Sequence, residues 1–261
     1  MAQRPRSEHT PGGGWFAPAL PRVLAHRGLA VEAPENTLLA FVKALATGVD
    51  YLETDVHASA DGIAIVSHDS DLSRLTGRDV RVGQLTAAEL ARIDLGEGQG
   101  YATLAQALET FPDARFNIDI KDPAVAAPAV AAILAADAAD RVLITSFSGG
   151  RRLAAVRGLP GVATSISSFG VLVTVLAARL GISSLVRRAM RDVQAIQIPQ
   201  RVIGIATTSP RVIAAVHGAG KEIHIWTVND PAVMRTLLDR GVDGIVTDRC
   251  DLAMDMVRRR S

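Results

Sequence analysis

The feature that most constrains the fold is the alternation of short β-rich runs with Ala- and Leu-rich helical stretches along nearly the whole chain. Candidate strands lie at 22–26, 51–56, 63–67, 115–121, 141–145, 162–166, 194–198, 222–227 and 243–247. Helix-like segments at 37–46, 103–110, 124–136, 148–156, 169–189, 209–219 and 230–240 fall between most of them. Such alternation is satisfied by parallel strands joined by helical crossovers, since a parallel pair cannot be linked by a tight turn. Thr86 with Glu89 and Thr103 with Gln106 have capping-box spacing, which marks two helix starts. Nine strands are one too many for an eightfold barrel. The surplus one is 63–67, which follows 51–56 with no room for a helix, across Asp61-Gly62, a favoured two-residue hairpin turn. That turn pairs Ala60 with Ile63 and sets Asp55 opposite His68. Eight parallel strands remain, and the sequence predicts a (β/α)8 TIM-type barrel with a β-hairpin and a small insertion at its mouth. An open doubly wound sheet would need a glycine-rich phosphate loop after the first strand, which "AHRGLAVEAPENT" lacks.

Hydrophobic residues make up 48% of the 261, enough to fill a substantial core, and no Pro/Ser linker divides the chain. The reading is an N-terminal tail over 1–20, lying on the barrel or disordered and holding an exposed His9, followed by one barrel domain over 21–261. The 28 Lys and Arg against 27 Asp and Glu leave a net charge of +1, which gives no global attraction for nucleic acid. Cys250 is the only cysteine, so no internal disulfide forms, and the N-terminus lacks the apolar core of a signal peptide; both fit a cytoplasmic protein. No stretch is long and apolar enough for a membrane span. The segment 169–191 comes nearest, with Arg179 in its middle, an apolar start and Arg187, Arg188 and Arg191 at its end. It reads either as a buried helix with a dimer contact or as an apolar rim that holds an acyl chain or touches a membrane surface. The protein is expected to be a monomer or a homodimer.

In such a barrel the chemistry sits at the C-terminal ends of the strands. His26 ends the first. Glu53 and Asp55, two apart on the second, share a face; in "RFNIDIK" Asn117, Asp119 and Lys121 do the same. Three carboxylates converging from two strands repel unless a cation joins them, and oxygen-only ligands favour Mg²⁺ or Ca²⁺, with Mn²⁺ a third option. The same groups could instead form a metal-free salt-bridge network with Arg27 and Lys121. Arg27 can fork onto a phosphoryl oxygen and Lys121 can add a point charge. His26 and His68 titrate near neutrality, so one can take a proton from an attacking oxygen and the other give one to a leaving alcohol. Gln197, between Ile196 and Ile198, faces the barrel interior, His57 falls on the rim, and Trp226 sits at a strand end. Glu35 can bind metal or support Arg27, Asn36 can cap the following helix, His217 lies on a helix surface, and His224 can face either core or pocket. This is equipment for phosphodiester hydrolysis.

At these residues the sequence resembles the glycerophosphodiester phosphodiesterase family, through "AHRG", "PENT", "LETDV", "DGIAIVSHD", "NIDIK", "IWTVND" and "GVDGIVTD". The resemblance runs from about residue 22 to 250. It implies a TIM-type barrel, a divalent metal, a small-molecule glycerophosphodiester substrate, and release of glycerol 3-phosphate and an alcohol, a step of lipid and glycerol metabolism. Carried over, it implies that His26 and His68 are the acid/base pair and that Glu53 and Asp55 bind metal. Asp119 stands where the family usually has a metal-binding glutamate, one methylene longer. Arg27 and Lys121 correspond to phosphate ligands, and Trp226 lines the substrate pocket; Gln197 is read from its strand position alone, as lining of the substrate site or as a core polar group with a partner. Residues from about 70 to 110 correspond to the family's insertion. Two alternatives stay open: a lysophospholipase D-type activity on lysophospholipids, and a barrel that binds phosphorylated ligands without turnover.

Overall fold

The computed structural model describes residues 14–202 and 204–259; His9 lies outside them. In chain order the elements are β1 (Arg22–His26), α1 (Leu38–Ala46), β2 (Tyr51–Ala58), β3 (Ala64–Val66), α2 (Ser73–Thr76), α3 (Ala87–Leu90), α4 (Leu104–Thr110), β4 (Arg115–Ile120), α5 (Ala126–Ala135), β5 (Val142–Thr145), α6 (Gly149–Arg157), β6 (Ala163–Thr164), α7 (Ser168–Arg179), α8 (Ser183–Ala189), β7 (Ala195–Ile198), β8 (Arg201–Val202), β9 (Ile205–Ala206), α9 (Pro210–His217), β10 (Glu222–Ile225), α10 (Pro231–Asp239), β11 (Gly244–Thr247) and α11 (Cys250–Arg258). Eight parallel strands follow the order β6-β5-β4-β2-β1-β11-β10-β7. The remaining seam, β6 to β7, is closed by Ile166 N–H donating to the Ala195 carbonyl at 3.0 Å and Gln194 N–H to the Thr164 carbonyl at 2.9 Å. The expected TIM-type barrel is therefore present, and both predicted capping boxes form, at Thr86 and at Thr103.

Alternation along each strand divides the core in two. Outward residues such as Leu52, Phe116, Ile118, Ile144 and Ile245 pack under the helices, while Leu24, Tyr51, Leu143, Ala163, Ala195 and Val246 fill the barrel. The expected tail is not separate from that interior. Trp15 is fully buried among the inward residues, donates its indole N–H to the Phe116 carbonyl at 3.1 Å, and accepts through its own carbonyl from the Tyr51 hydroxyl at 2.9 Å. It plugs the floor of the barrel, where a barrel interior needs large side chains that eight short strands do not themselves supply. Beside it Arg22 is paired with Glu222 at 2.6 Å.

Three local expectations are corrected. The β2–β3 hairpin pairs Val56 with Val66 and His57 with Ile65, so Asp55 faces Ser67 and not His68. The turn has three residues, Ala60-Asp61-Gly62, because the Ser59 hydroxyl bonds both Asp61 and the Ile63 N–H, and Gly62 takes the left-handed conformation at φ 74°. The predicted helix 169–189 is two helices, α7 and α8, parted at left-handed Gly181. The cap of α1 is Thr37, whose hydroxyl accepts from Ala40 N–H at 3.2 Å, and not Asn36. The inserted segment packs its own small cluster of Ile65, Leu72, Val82, Leu90, Ile93 and Tyr101, whereas α4 belongs to the main core through Leu104, Ala107 and Leu108.

Candidate active site

The strand register builds the mouth. His26 is level with Glu53, Glu53 with Asn117, and Asp55 with Asp119, so side chains from three adjacent strands point into one cleft. The cleft has a volume of 370 Å³ and is lined by His26, Arg27, Glu53, Asp55, His68, Asp119, Lys121, Gln197 and Trp226; Glu35 and His224, the other candidates, do not line it. The turn after β1 needs unusual backbone: Arg27 and Asn36 both have positive φ, 58° and 56°, and a Cβ on Gly28 would sit 2.6 Å from the Ala40 backbone carbon. Local strain of this kind is stored where side chains must be aimed.

Charge is packed tightly. Lys121 Nζ lies 2.8 Å from both Asp55 Oδ1 and Asp119 Oδ2. Arg27 is 3.0 Å from Glu35 and 3.3 Å from Asp55, Arg74 reaches Glu35 and Asp69 at 2.5 Å, and Asp69 reaches His68. One ionic chain therefore ties the β1 loop to the β3 loop across the mouth. Glu35 supports Arg27, as one of its two readings had it. Asn36 reaches Asp55 Oδ2 through its amide N–H at 3.3 Å and accepts from Thr54 at 2.8 Å, which fixes the carboxylate from behind. Positive charge still falls short: burial, then the Asp55 and Asp119 charges, push the Glu53 carboxyl up to about 8. Burial also holds Asp119 above its usual range against the pull of Lys121. Arg27 Nε and Asp119 Oδ1 are buried without a hydrogen-bond partner. Among the described residues, no three His, Cys, Asp or Glu side chains are grouped as a ready metal cluster, and Lys121 stands between two of the three candidate ligands. The donor set nevertheless fits a hard divalent cation: it is all oxygen, short of positive charge, and leaves Asp119 Oδ1 unsatisfied.

Each histidine is oriented by its own carboxylate. His26 Nδ1 is 2.6 Å from Asp248 Oδ1, and His68 Nδ1 is 2.8 Å from Asp69 Oδ1. With Nδ1 engaged, Nε2 is the nitrogen left for chemistry, and that of His26 lies 3.9 Å from Glu53. Burial opposes charge on His26, but Asp248 and Glu53 outweigh it and raise its pKa. Asp248 is held in turn by the Asn229 amide at 2.7 Å. His57, expected on the rim, is buried; one ring nitrogen is 3.0 Å from Asp122 and the other 3.1 Å from the His68 carbonyl, so it braces the loop that carries His68. His217 is on the surface of α9 as expected, and His224 is fully buried beside Gln197 and Glu222. The opposite wall of the cleft is apolar: Phe147, Ile166, Val171, Ile198, Pro199 and Val202. Phe147 meets Trp226 edge to face at 5.8 Å. Gln197 donates to Asn117 at 2.9 Å. Sequence reasoning assigned no role to Asp248, Asn229 or Asp69, although all three stand in the motif text; the signal was an acid or amide at the end of an inward-facing run.

The model of the glycerophosphoryl diester phosphodiesterase family matches residues 26–252. A protein of Mycobacterium tuberculosis named "Probable glycerophosphodiester phosphodiesterase 2" is 41% identical over 91% of this chain and 90% of its own length. Among solved structures, a glycerophosphodiester phosphodiesterase from Agrobacterium tumefaciens superposes with a TM-score of 0.75 at 28% identity, covering 91% of this chain and 99% of that one. An Oleispira antarctica phosphodiesterase in complex with the product sn-glycerol-3-phosphate superposes with a TM-score of 0.75 at 25% identity, covering 92% and 97%.

Proposed function

This chain belongs to the glycerophosphoryl diester phosphodiesterase family, and from that premise we propose how its own residues divide the work of hydrolysing a glycerophosphodiester to glycerol 3-phosphate and an alcohol. The observation that carries the reading is the pair of carboxylate-oriented histidines at one charged mouth. Arg27 and Lys121, which both line the cleft, hold the phosphate oxygens. His26, whose pKa is raised chiefly by its contact with Asp248, delivers a proton from Nε2 to the leaving alcohol oxygen. His68 takes a proton from the attacking oxygen, either of water or of a glycerol hydroxyl whose cyclic phosphate is then opened by water, and Asp69 steadies the imidazolium that results. Glu53, Asp55 and Asp119 would hold one divalent cation, with Mg²⁺ or Ca²⁺ preferred on donor chemistry and Mn²⁺ a third option. Bound there, such a cation would supply charge to the phosphoryl oxygens and lower the pKa of the nucleophile. Trp226, Phe147 and Gln197 shape the wall for the organic part of the substrate. Binding a phosphorylated ligand without turnover would not need two oriented proton carriers.

The test is release of glycerol 3-phosphate from glycerophosphocholine and glycerophosphoethanolamine after EDTA treatment, with each metal added back. Turnover restored by a divalent ion supports the reading. Turnover indifferent to EDTA would return the carboxylates to a metal-free salt-bridge network. A preference for lysophosphatidylcholine over both substrates would move the assignment to the lysophospholipase D-type alternative.

A further inference from the structure

We infer that the outer face of α7 and α8 docks the enzyme onto an anionic phospholipid surface. Charge along this chain is segregated. Residues 141–191 hold eight arginines and no acid, and residues 141–221 hold eleven Lys and Arg against Asp192 alone, a net of +10 in a chain whose total is +1. The rest of the chain therefore carries −9. The basic stretch is contiguous in the barrel, from β5 through α9, so the charge lies on one side of the molecule. On that side α7 is apolar on two faces. Val171, Thr174, Val175 and Ala178 pack inward. Phe169, Val173, Leu176 and Leu180 recur at helical spacing on the opposite face, where Phe169 is 80% exposed and Leu180 74% exposed. That outer stripe is roughly 16 Å long at 1.5 Å per residue. It continues past Gly181 into exposed Ile182 and Leu185. Exposed Arg179, Arg187 and Arg188 flank it, with no acidic partner among the described residues, and Arg191 reaches only Asp192 at 3.6 Å.

Charge decides the occupant. A second copy docking by two-fold symmetry would bring the same patch against itself, setting arginines against arginines with no acid between 141 and 191 to answer them. A nucleic acid would meet the arginines but leave Phe169, Leu176 and Leu180 in water. An anionic lipid surface answers both, with headgroups for the guanidinium groups and the acyl boundary for the stripe. The stripe begins beside Ser168 and Val171, which line the active cleft, so docking sets the mouth at the lipid edge.

The test is co-sedimentation of the whole chain with vesicles, which reads no turnover and so is independent of the catalytic assignment. Binding is expected to equimolar phosphatidylglycerol and phosphatidylcholine and to be lost at high salt; vesicles of phosphatidylcholine alone should not retain the protein. Arg187→Ser/Arg188→Ser should cut partitioning about 30-fold, at roughly fivefold per arginine near a charged surface. Leu180→Glu/Leu185→Glu should abolish it, and both variants should keep wild-type turnover of soluble glycerophosphocholine. Equal binding to neutral vesicles, unchanged binding by the variants, or a dimer in analytical ultracentrifugation that Leu180→Glu/Leu185→Glu converts to monomer would overturn the inference.

Discussion

Asp248→Asn tests the histidine arrangement most directly, because the side chain keeps its shape while losing its charge and one acceptor. In the wild type Asp248 Oδ1 faces His26 Nδ1 at 2.6 Å and Oδ2 accepts from the Asn229 amide at 2.7 Å. Asn229 cannot turn to oblige a new partner, since its carbonyl oxygen already accepts from the Thr247 hydroxyl and the Asp248 N–H. The new amide must therefore point its oxygen at Asn229 and its NH₂ at His26. Nδ1 of His26 then has to accept, which moves the ring proton to Nε2 and removes the charge that stabilises the imidazolium. Replacing the orienting carboxylate of a catalytic histidine in this way costs up to about 10⁴ in kcat, and loss of general acid–base help costs 10²–10⁴. The expected fall in kcat is therefore about 10²- to 10⁴-fold, or roughly 3–5 kcal/mol in the barrier, with KM within a few-fold because Asp248 does not face the phosphate. A second signature lies in stability. The raised His26 pKa gives stability that is complete below its ordinary 6.5 and lost as pH rises through the higher folded value. The lowered Asp248 pKa gives stability present above its ordinary 3.8 and lost as pH falls below. The Tm gap between wild type and variant should thus be widest at about pH 4–6.5 and close toward alkaline pH. Glycerol 3-phosphate release and scanning fluorimetry across pH read both. A variant with kcat within threefold of wild type, or a Tm gap that widens at alkaline pH, refutes the reasoning.

His26→Ala and His68→Ala should each lower turnover by about 10²-fold or more while remaining folded by circular dichroism; near-wild-type turnover of either on glycerophosphocholine removes it from proton transfer. Glu53→Gln should flatten a pH slope. Folded Glu53 keeps its proton to about 8 while the unfolded chain releases it near 4.5, so metal-free wild-type stability should fall as pH rises through that window. The variant should show a shallower decline in EDTA and no Tm gain with divalent cation, whereas the wild type gains; identical pH slopes would show that the cluster is not short of positive charge. Trp15→Ala should cost about 3–5 kcal/mol in denaturant unfolding, the range for a large aromatic removed from a tight core, and a loss under 1 kcal/mol would mean that the floor is filled from elsewhere.

Much of the site was legible because it rests on local periodicity. Glu53 and Asp55, or Asn117, Asp119 and Lys121, fall on one face at period 2 whatever the rest of the chain does, and parallel strands then deliver them to one mouth. What escaped sequence reasoning depends on contacts between distant positions or on single side chains in turns. The His26–Asp248 pair joins residues 222 apart, and nothing near His26 announces its partner. The hairpin register turned on the Ser59 hydroxyl, which adds one residue to the expected turn and so moves Ser67, not His68, opposite Asp55. Asn36 has the composition of a cap, yet its left-handed backbone hands that role to Thr37 and frees its amide to hold Asp55. Trp15 looked like part of a tail because its pocket is assembled from strands that span the whole chain.

That last arrangement imposes an order on synthesis. Trp15 emerges from the ribosome before any strand, but its cavity needs Ala195 and Val246, and its ring lies 5.8 Å from that of His224. The edge of β1 likewise waits for β11, its partner from Arg22↔Gly244 onward. A nascent chain stopped anywhere short of β11 therefore holds an incompletely covered indole and an open strand edge, the combination that invites non-native pairing. Arrival of β11, more than the formation of any single helix, is the event that seals the floor. Truncations that remove β11 should accordingly behave as aggregating chains and not as weakened enzymes.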